Sequence, residues 1–275
     1  MSRDRQPAAD EDAILVRSLA LRLPTGHTIP GHAHPWGQIV YATEGVMTVT
    51  TDAGAWVVPS HRAAWVPGGT EHSIAVTDRV RMRTLYLRPD LAAPLPDRCR
   101  ALAVSGLLRE IVLEVVQVGM LRDDVPAERR LAEVLVDRIR LTSAVPLQLP
   151  WPRDPRARRL GELVLAQLAD STPLDGLAVG CGASARTLER LFRAETGMTF
   201  GRWRQQARLL HALRLLATGA SVTATGFAVG FASTSAFVAM FRRALGSTPG
   251  SWFRDAAAAA GAAQPGPRSR VGSAL

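Results

Sequence analysis

The sequence predicts an α+β protein in which an N-terminal β-barrel and a helical hairpin precede an all-α domain of two helix-turn-helix units joined by a long helix. Three observations support this prediction. Short alternating or β-branched runs fill residues 14–88. Apolar residues recur at helical spacing after residue 102. Residues 157–254 contain an internal repeat.

The N-terminal region is predicted to be a small barrel or sandwich, because several short strands follow one another closely. Gly, Pro and Asp turns separate its apolar runs. The clearest of these runs are residues 38–41, 46–51, 55–58 and 82–87. A proline-containing connector follows at 89–98. We therefore assign residues 1–96 to the first domain.

Residues 97–145 are predicted to form a hairpin of two helices. Apolar residues at helical spacing define each helix. They are Leu102, Leu107, Leu108, Ile111, Val115 and Val118 in the first, and Leu131, Val134, Leu135, Val136, Ile139 and Leu141 in the second. The polar turn 122–124 would join them. The hairpin either covers the barrel or forms a homodimer interface, and we favour the interface.

Two segments are predicted to lack a packed structure. The segment 146–156 lies in a stretch with four prolines between residues 145 and 155, which is typical of an interdomain linker. The tail 256–275, rich in Ala, Gly, Pro and Ser, is predicted to be disordered. Residues 157–255 between them form the second domain.

The second domain repeats itself at an offset of 49 residues. The matching pairs are Ser184 and Ser233, Leu188 and Phe237, Phe192 and Phe241, Arg193 and Arg242, Gly197 and Gly246, Thr199 and Thr248, and Trp203 and Trp252. A repeated supersecondary unit is the simplest explanation. The two units, about 172–195 and 221–244, would each contain a helix, a tight turn at a glycine and a second helix, with an apolar connecting helix between them.

Positive charge is concentrated in the same domain. Residues 1–152 hold 17 arginines and 17 acidic residues, whereas residues 153–254 hold 14 arginines and 6 acidic residues, a net charge of +8. A concentrated basic surface attracts a polyanion, because neutralising phosphates releases condensed counterions. Charge alone leaves both a nucleic-acid interface and a solvated, solubilising surface open.

Cysteine usage and hydropathy favour a cytoplasmic protein. Cys99 and Cys181 lie far apart and match no metal-ligand or disulfide spacing, which favours a reducing compartment. The N-terminus lacks the apolar segment of a secretory signal. The chain also lacks the run of about 18 apolar residues that a membrane span needs. We therefore expect no membrane partner.

The repeated region resembles a known family. Residues 182–192, 230–237 and 246–249 are similar to the signature of AraC/XylS transcription regulators, and the resemblance covers about 157–254. Thr225 and Gly226 depart from the signature, which usually has a branched apolar residue and alanine there. The resemblance implies a sequence-specific DNA-binding transcription regulator. Double-stranded DNA, a small-molecule effector and RNA polymerase are the partners that this function implies.

The resemblance also implies which residues contact DNA. Helices 185–195 and 234–244 would each enter a major groove. The predicted contacts are Ser184, Ala185, Arg186, Thr187, Glu189, Arg190, Arg193, Ser233, Thr234, Ser235, Val238, Ala239 and Arg242. Arg186 and Arg190 would bond guanine bidentately, or else serve as structural residues that bond within the domain. An architectural DNA binder without sequence preference is a further alternative.

A second resemblance lies in the N-terminal region. The first cupin motif is matched by Gly26, His32, His34, Gln38 and Gly45. Gln38 replaces the glutamate that is usual in this motif. Residues 67–72, which end at His72, resemble the second motif. The resemblance implies a cupin-like effector-sensing barrel over about 14–88.

The histidines of these motifs are candidate metal ligands. His32 and His34 are two residues apart on a predicted strand, so both face the same side, where His72 could meet them. Three imidazoles and the amide oxygen of Gln38 would suit Zn²⁺, Ni²⁺ or Fe²⁺, although the lost carboxylate weakens such a site. Histidines that bond within the pocket, or that contact an anionic effector, are the alternatives.

The competing class of function is a metal-dependent cupin enzyme fused to a DNA-binding module. Gln38 argues against it, because the motif carboxylate is missing. Apart from Glu44 and Glu71, the sequence offers no acid–base group near the histidines. We therefore predict a regulator that is controlled by an effector or a metal, and not an enzyme.

Overall fold

The computed structural model describes residues 11–253, so the tail at 256–275 that is predicted to be disordered lies outside the described residues. The N-terminal half of the described chain is a nine-stranded sheet. Its strands are β1 Ile14–Leu23, β2 Thr28–His32, β3 Gly37–Thr51, β4 Gly54–Pro59, β5 Arg62–Val66, β6 His72–Leu87, β7 Arg100–Ala103, β8 Met120–Arg122 and β9 Gln148–Pro150.

Two long strands organise this sheet. β3 and β6 pair antiparallel from Gly37 opposite Leu87 to Thr50 opposite Ser73. The main path of pairing is β7-β5-β3-β6-β1-β8, while β2 pairs with β6, and β4 pairs with β3 and β9. The α+β prediction is confirmed. Within residues 11–253 the two ends of the path do not pair, so closure of the sheet into a barrel stays a prediction.

β3 is longer than the sequence predicts. The runs 38–41 and 46–51 belong to one strand, whose pairing with β6 is irregular between Ala42 and Met47. Gly45 has a φ of 80°, and a Cβ there would lie 2.2 Å from the carbonyl oxygen of Arg79. Only glycine fits this position. The turn predicted between the two runs is therefore an irregularity inside one strand.

The predicted hairpin covers one face of the sheet. Its helices are α2 Gly106–Val118 and α3 Pro126–Leu141, which follow the short helix α1 Pro89–Ala92. The hydroxyl of Ser105 caps α2 by accepting a hydrogen bond from the N–H of Leu108. Buried residues of both helices share one core with the sheet. The predicted turn 122–124 is partly wrong, because residue 122 belongs to β8, which pairs with β1.

The C-terminal half is helical, as predicted. Its helices are α4 Pro155–Ala166, α5 Leu174–Ala178, α6 Ala185–Thr196, α7 Phe200–Ala217, α8 Val222–Ala228 and α9 Thr234–Leu245. α5 and α6 form the first unit, α8 and α9 form the second, and α7 joins them. Gly182 and Gly230 turn the chain with φ of 68° and 85°. In the part of the chain that the structure describes, no helix is both long and apolar enough to cross a bilayer.

The repeat in sequence is also a repeat in packing. In the first unit the ring of Phe192 lies edge-on to Trp203, with 5.3 Å between ring centroids. In the second unit Phe241 lies edge-on to Trp252 at 6.2 Å. All four side chains are buried. Such pairs stabilise a fold by about 0.5–1.5 kcal/mol beyond their buried area. Each unit therefore has an equivalent aromatic centre.

Packing explains one departure from the family signature. A Cβ on Gly226 would lie 3.1 Å from the Cβ of Phe237, which is fully buried. The ring of Phe237 is itself packed against Phe231 and Phe241, at centroid distances of 5.7 and 6.0 Å. The glycine lets α8 approach α9 closely, although glycine in a helix costs about 1 kcal/mol relative to alanine.

The segment predicted as an interdomain linker, 146–156, is built into the fold. Its residues Gln148–Pro150 form β9, which pairs with β4. The indole N–H of Trp203 donates to the carbonyl of Pro150 at 2.7 Å, and the amide of Gln206 donates to two further carbonyls of the segment. The linker prediction is wrong here, because prolines that break helices are also compatible with a short edge strand. As a result, α7 lies against the sheet.

Candidate nucleic-acid interface and histidine site

The first exposed helix, α6, is delimited by a cap and a glycine. The hydroxyl of Ser184 accepts a hydrogen bond from the N–H of Thr187 at 3.3 Å, and Gly197, with a φ of 71°, ends the helix. Leu188 and Phe192 are fully buried on its inner side. The helix runs one residue beyond the predicted range 185–195. Its outer side is left to solvent.

Arg186 and Arg190 lie one helical turn apart on this outer side, and both are exposed. Within residues 11–253, neither forms a side-chain hydrogen bond or an ion pair. Arg193 differs, because it pairs with Glu189 at 3.0 Å while its side chain stays 65% exposed. Two guanidinium groups of α6 are therefore available to an external partner.

Glu189 is engaged inside the protein. Besides pairing with Arg193, its carboxylate accepts a hydrogen bond of 3.1 Å from the backbone N–H of Phe200, the first residue of α7. A carboxylate at a helix N-terminus also interacts favourably with the helix dipole. Glu189 thus holds α7 against α6. The sequence does not reveal this role, because Phe200 lies 11 residues away.

The second exposed helix, α9, has the same construction with smaller side chains. The hydroxyl of Ser233 accepts a hydrogen bond from the N–H of Ala236 at 3.2 Å, and the helix ends before Gly246. The predicted contacts divide into exposed and half-buried side chains. Ser235, Ala239 and Arg242 are exposed, whereas Thr234 and Val238 are half-buried. α9 therefore presents mostly small groups.

Two features of α9 were not predicted. The hydroxyl of Thr234 donates to that of Thr223 at 3.2 Å, which ties the start of α9 to α8. Arg243 is exposed beside Arg242 and forms no ion pair with any described residue. The adjacent arginines in the sequence were the signal that could have added Arg243 to the candidate contacts.

Three histidines meet in the N-terminal half. His32 ends β2 opposite His72, which begins β6, and His34 follows β2. Ligand atoms of the three rings lie within 4.8 Å of one another. Gln38 on β3 is buried beside them. Its Oε1 lies 2.9 Å from Nε2 of His72 and 3.3 Å from Nε2 of His34. The structure therefore brings all four candidate residues together.

Backbone carbonyls fix which ring nitrogen carries the proton. The Nδ1 atoms of His32, His34 and His72 lie 2.9, 2.7 and 2.8 Å from the carbonyl oxygens of residues 30, 36 and 70. A carbonyl oxygen can only accept, so each Nδ1 is the donor. When the rings are neutral, each Nε2 is left unprotonated. Two of these lone pairs face the same oxygen of Gln38.

The amide of Gln38 is also held in one orientation. Its Nε2 donates to the hydroxyl of Thr84 at 2.8 Å, and that hydroxyl donates to the carbonyl of Ile39 at 2.9 Å. Because the Thr84 hydroxyl uses its only proton in the bond to the Ile39 carbonyl, it can only accept from the amide nitrogen of Gln38. Oε1 of Gln38 must therefore face the histidines. The unprotonated Nε2 atoms of the neutral rings and Oε1 of Gln38 are then all acceptors, and none of them has a proton to donate to another. A cation stabilises such a set of acceptors.

The electrostatic surroundings keep the innermost ring neutral. Burial lowers the pKa of His72, the hydrogen bond to the Thr70 carbonyl opposes this, and charge on His32 or His34 would lower the pKa further. Neither sequence-predicted acid lies buried with the rings. Glu71 is exposed, and Glu44 pairs with Arg81 at 2.9 Å.

Comparisons with known proteins match both halves. Residues 19–179 match the family described as the AraC-like ligand binding domain, and residues 177–255 match a helix-turn-helix domain family. The chain is 36% identical over 223 residues to the HTH-type transcriptional regulator NimR of Escherichia coli K12, with 81% of each chain covered. It is 26% identical over 248 residues to the HTH-type transcriptional activator RhaS of Escherichia fergusonii, with 83% of this chain and 88% of RhaS covered.

Solved structures of regulators show a looser overall likeness. ToxT from Vibrio cholerae aligns with a TM-score of 0.38 at 10% identity, over 87% of this chain and 98% of ToxT. The DNA-binding domain of AdpA, solved in complex with a target DNA, aligns with a TM-score of 0.35 at 34% identity, over 38% of this chain and 95% of that domain.

Proposed function

This chain belongs to the AraC family of transcription regulators, with an AraC-like ligand-binding domain ahead of a helix-turn-helix DNA-binding domain, and from this membership we propose how it contacts its operator. α6 and α9 each enter a major groove on the same face of the duplex, about 34 Å apart. The observation that supports this proposal most is that Arg186 and Arg190 on α6 are exposed and have no ion-pair partner among residues 11–253.

The two helices have different roles in this proposal. Arg186 and Arg190 bond O6 and N7 of guanine, because the planar guanidinium matches both acceptors. Arg193 and Arg242 contact phosphates, which positions the protein without reading sequence. The small groups of α9 suit thymine methyl groups or water-mediated contacts. α6 then supplies most of the discrimination between bases.

Selection of bound fragments from random DNA tests this proposal. We expect a two-part site whose halves lie about 10 base pairs apart, with guanine enriched in the half that α6 reads. The affinity for the selected site should fall steeply as salt rises, since phosphate contacts release counterions. Bound fragments without any common sequence would instead support an architectural DNA binder and contradict the proposal.

We also propose that an effector in the N-terminal domain controls DNA binding through α7. This helix contacts the sheet at several points. Trp203 and Gln206 bond to the segment around β9, and the half-buried Arg214 donates from Nε to the hydroxyl of Thr48 on β3 at 3.2 Å. A ligand that favours one packing of α7 on the sheet shifts the population toward that arrangement. DNA affinity then changes by linkage.

The histidine site is proposed to bind a divalent metal ion as part of this sensing. Zn²⁺, Ni²⁺ and Fe²⁺ accept imidazole ligands. With metal–ligand bonds of about 2.1 Å, neighbouring ligand atoms of a tetrahedral site lie roughly 3.4 Å apart. The separation of 3.3 Å between Oε1 of Gln38 and Nε2 of His34 agrees with this spacing, and the 2.9 Å to Nε2 of His72 is somewhat shorter. Because the site has an amide in place of a carboxylate, we assign it to sensing and not to catalysis.

His34→Ala is expected to remove the metal. Purified wild-type protein loaded with Zn²⁺ should retain about one ion per chain after dialysis, and the variant should bind Zn²⁺ at least about tenfold more weakly, since even a residue that only supports a ligand is worth this much. Metal analysis and competition with a chelator measure both quantities. His27→Ala, at an exposed histidine outside the cluster, is the matched control. Equal Zn²⁺ affinity in all three proteins would rule out the metal site.

The remaining partners are proposed from the surface. The outer face of the hairpin keeps four large apolar side chains more than 40% exposed: Leu107, Val118, Val134 and Leu141. We assign this face to a homodimer contact, which would exclude water from it.

The cytoplasm is the proposed compartment, where Cys99 and Cys181 remain the free thiols that the structure shows. RNA polymerase is the proposed partner of the DNA-bound form.

A further inference from the structure

A cleft of about 620 Å³ lies between the sheet and the C-terminal half. Its lining includes the half-buried Trp151 just after β9 and the buried Trp56 on β4, and its rim includes Arg100 and Arg153. Glu195, in the last turn of α6, also lines the cleft. A volume of 300–1,000 Å³, roughly, and a position between domains are typical of sites for small organic ligands.

The polar rim of this cleft has unpaired positive charge. The carboxylate of Glu195 accepts hydrogen bonds of 2.6 and 3.0 Å from two backbone N–H groups, one of them that of Arg153. The other acidic residue of the lining, Asp97, lies 3.9 Å from Arg98. In the described part of the chain, the guanidinium groups of Arg100 and Arg153 have no carboxylate partner. The rim therefore attracts an anion.

The walls add apolar surface to a lining that holds three arginines and two carboxylates. Trp151 contributes a flat, half-buried aromatic side chain, against which a planar group can pack. Cys99 lines the cleft as well, and burial raises the pKa of its thiol to about 11, so it stays neutral. Apolar walls with a few convergent charged groups are the usual composition of a ligand site.

We propose that this cleft binds an organic anion with a flat apolar body, whose acidic group lies against Arg100 and Arg153 and whose body lies along Trp151. This effector site is separate from the histidine cluster.

The position of the cleft links its ligand to both functional sites. Thr70 lines the cleft, and its carbonyl accepts the hydrogen bond from Nδ1 of His72. Glu195 belongs to α6, which carries Arg186 and Arg190. A ligand in the cleft therefore touches the support of the histidine site and the helix that is proposed to read DNA. This link to DNA rests on the proposed function, whereas binding in the cleft does not.

Calorimetric titration with 1-naphthoate, and with the uncharged 1-naphthalenemethanol of similar shape, tests the site. We expect 1-naphthoate to bind once per chain and more tightly than the alcohol. Arg153→Gln should lower the affinity for 1-naphthoate about tenfold, because one charge-assisted hydrogen bond is lost. The affinity for the alcohol should stay unchanged. Arg79→Gln, at an exposed arginine outside the cleft, should change the affinity for neither ligand.

A second variant tests whether 1-naphthoate binds in this cleft. Ala144 is exposed and lines the cleft, so Ala144→Trp should fill it and abolish 1-naphthoate binding while the thermal midpoint of the protein is kept. No saturable binding of 1-naphthoate, or binding that is unchanged by both Arg153→Gln and Ala144→Trp, would overturn the inference. A wild-type protein that binds 1-naphthoate in the cleft but selects no DNA sequence would overturn the proposed function alone.

Discussion

Arg190→Ala is expected to weaken operator binding by about 1–3 kcal/mol, from roughly fivefold to a hundredfold, because a bidentate contact to guanine is worth this much discrimination. Arg190 is exposed and forms no ion pair among the described residues, so the protein loses no internal interaction when the side chain is truncated. The loss should depend on DNA sequence. Affinity for unrelated DNA should change far less than affinity for the selected operator.

Gel-shift titration at fixed salt measures this effect. Arg22→Ala, at an exposed arginine on β1, removes the same charge far from α6 in sequence and is expected to leave the affinity unchanged. The thermal midpoint of Arg190→Ala should stay within the range of surface substitutions. Operator affinity equal to that of the wild type would refute the assignment of Arg190 to base contacts.

Trp203→Ala is expected to lower the free energy of unfolding by about 3–5 kcal/mol, the usual cost of truncating a large buried aromatic side chain. Trp203 is fully buried, and its ring packs against Phe192 and Trp151 at centroid distances of 5.3 and 6.1 Å. Its indole N–H also donates to the carbonyl of Pro150 at 2.7 Å. The substitution therefore disrupts the first unit and the junction with β9 together.

Urea unfolding followed by circular dichroism measures this loss. Phe227→Ala is the control, because Phe227 is an aromatic residue of the same half whose surface is 54% exposed. Its truncation should cost only about 1 kcal/mol, since roughly half of its surface is already exposed. A cost for Trp203→Ala as small as that of the control would show that Trp203 does not hold the first unit to the sheet.

The helices α6 and α9 could be predicted to within one residue because their signals are local. Ser184 and Ser233 cap the starts of α6 and α9, and Gly197 and Gly246 follow their last residues. A few neighbouring residues therefore determine where each helix begins and ends. The apolar stripe between cap and glycine sets the buried face. The repeat of 49 residues applies the same signals twice.

Features that depend on distant residues could not be predicted. The sequence predicts a linker where β9 lies, because only the position of β4 in the fold makes the segment a strand. The sequence does not indicate that the carboxylate of Glu189, a predicted DNA contact, accepts a hydrogen bond from an N–H of the next helix. The cleft between the sheet and α6 exists only once both halves are packed together.

The histidine site has one feature that the sequence predicts and one that depends on distant residues. The two motifs were enough to predict that His32, His34 and His72 meet, although the predicted strand with both His32 and His34 is wrong, because β2 ends at His32. The sequence did not show how Gln38 is oriented. That orientation depends on Thr84, which lies 46 residues away on β6, and on a carbonyl that takes the proton of its hydroxyl.

Hydroxyl-radical footprinting of a selected operator, which reports protein contact at every base pair, tests most directly whether α6 and α9 read one face of DNA. Two protected patches should lie about 10 base pairs apart in successive major grooves. Arg190→Ala should remove protection in one patch and spare the other. A single patch, or two patches on opposite faces of the duplex, would contradict the account.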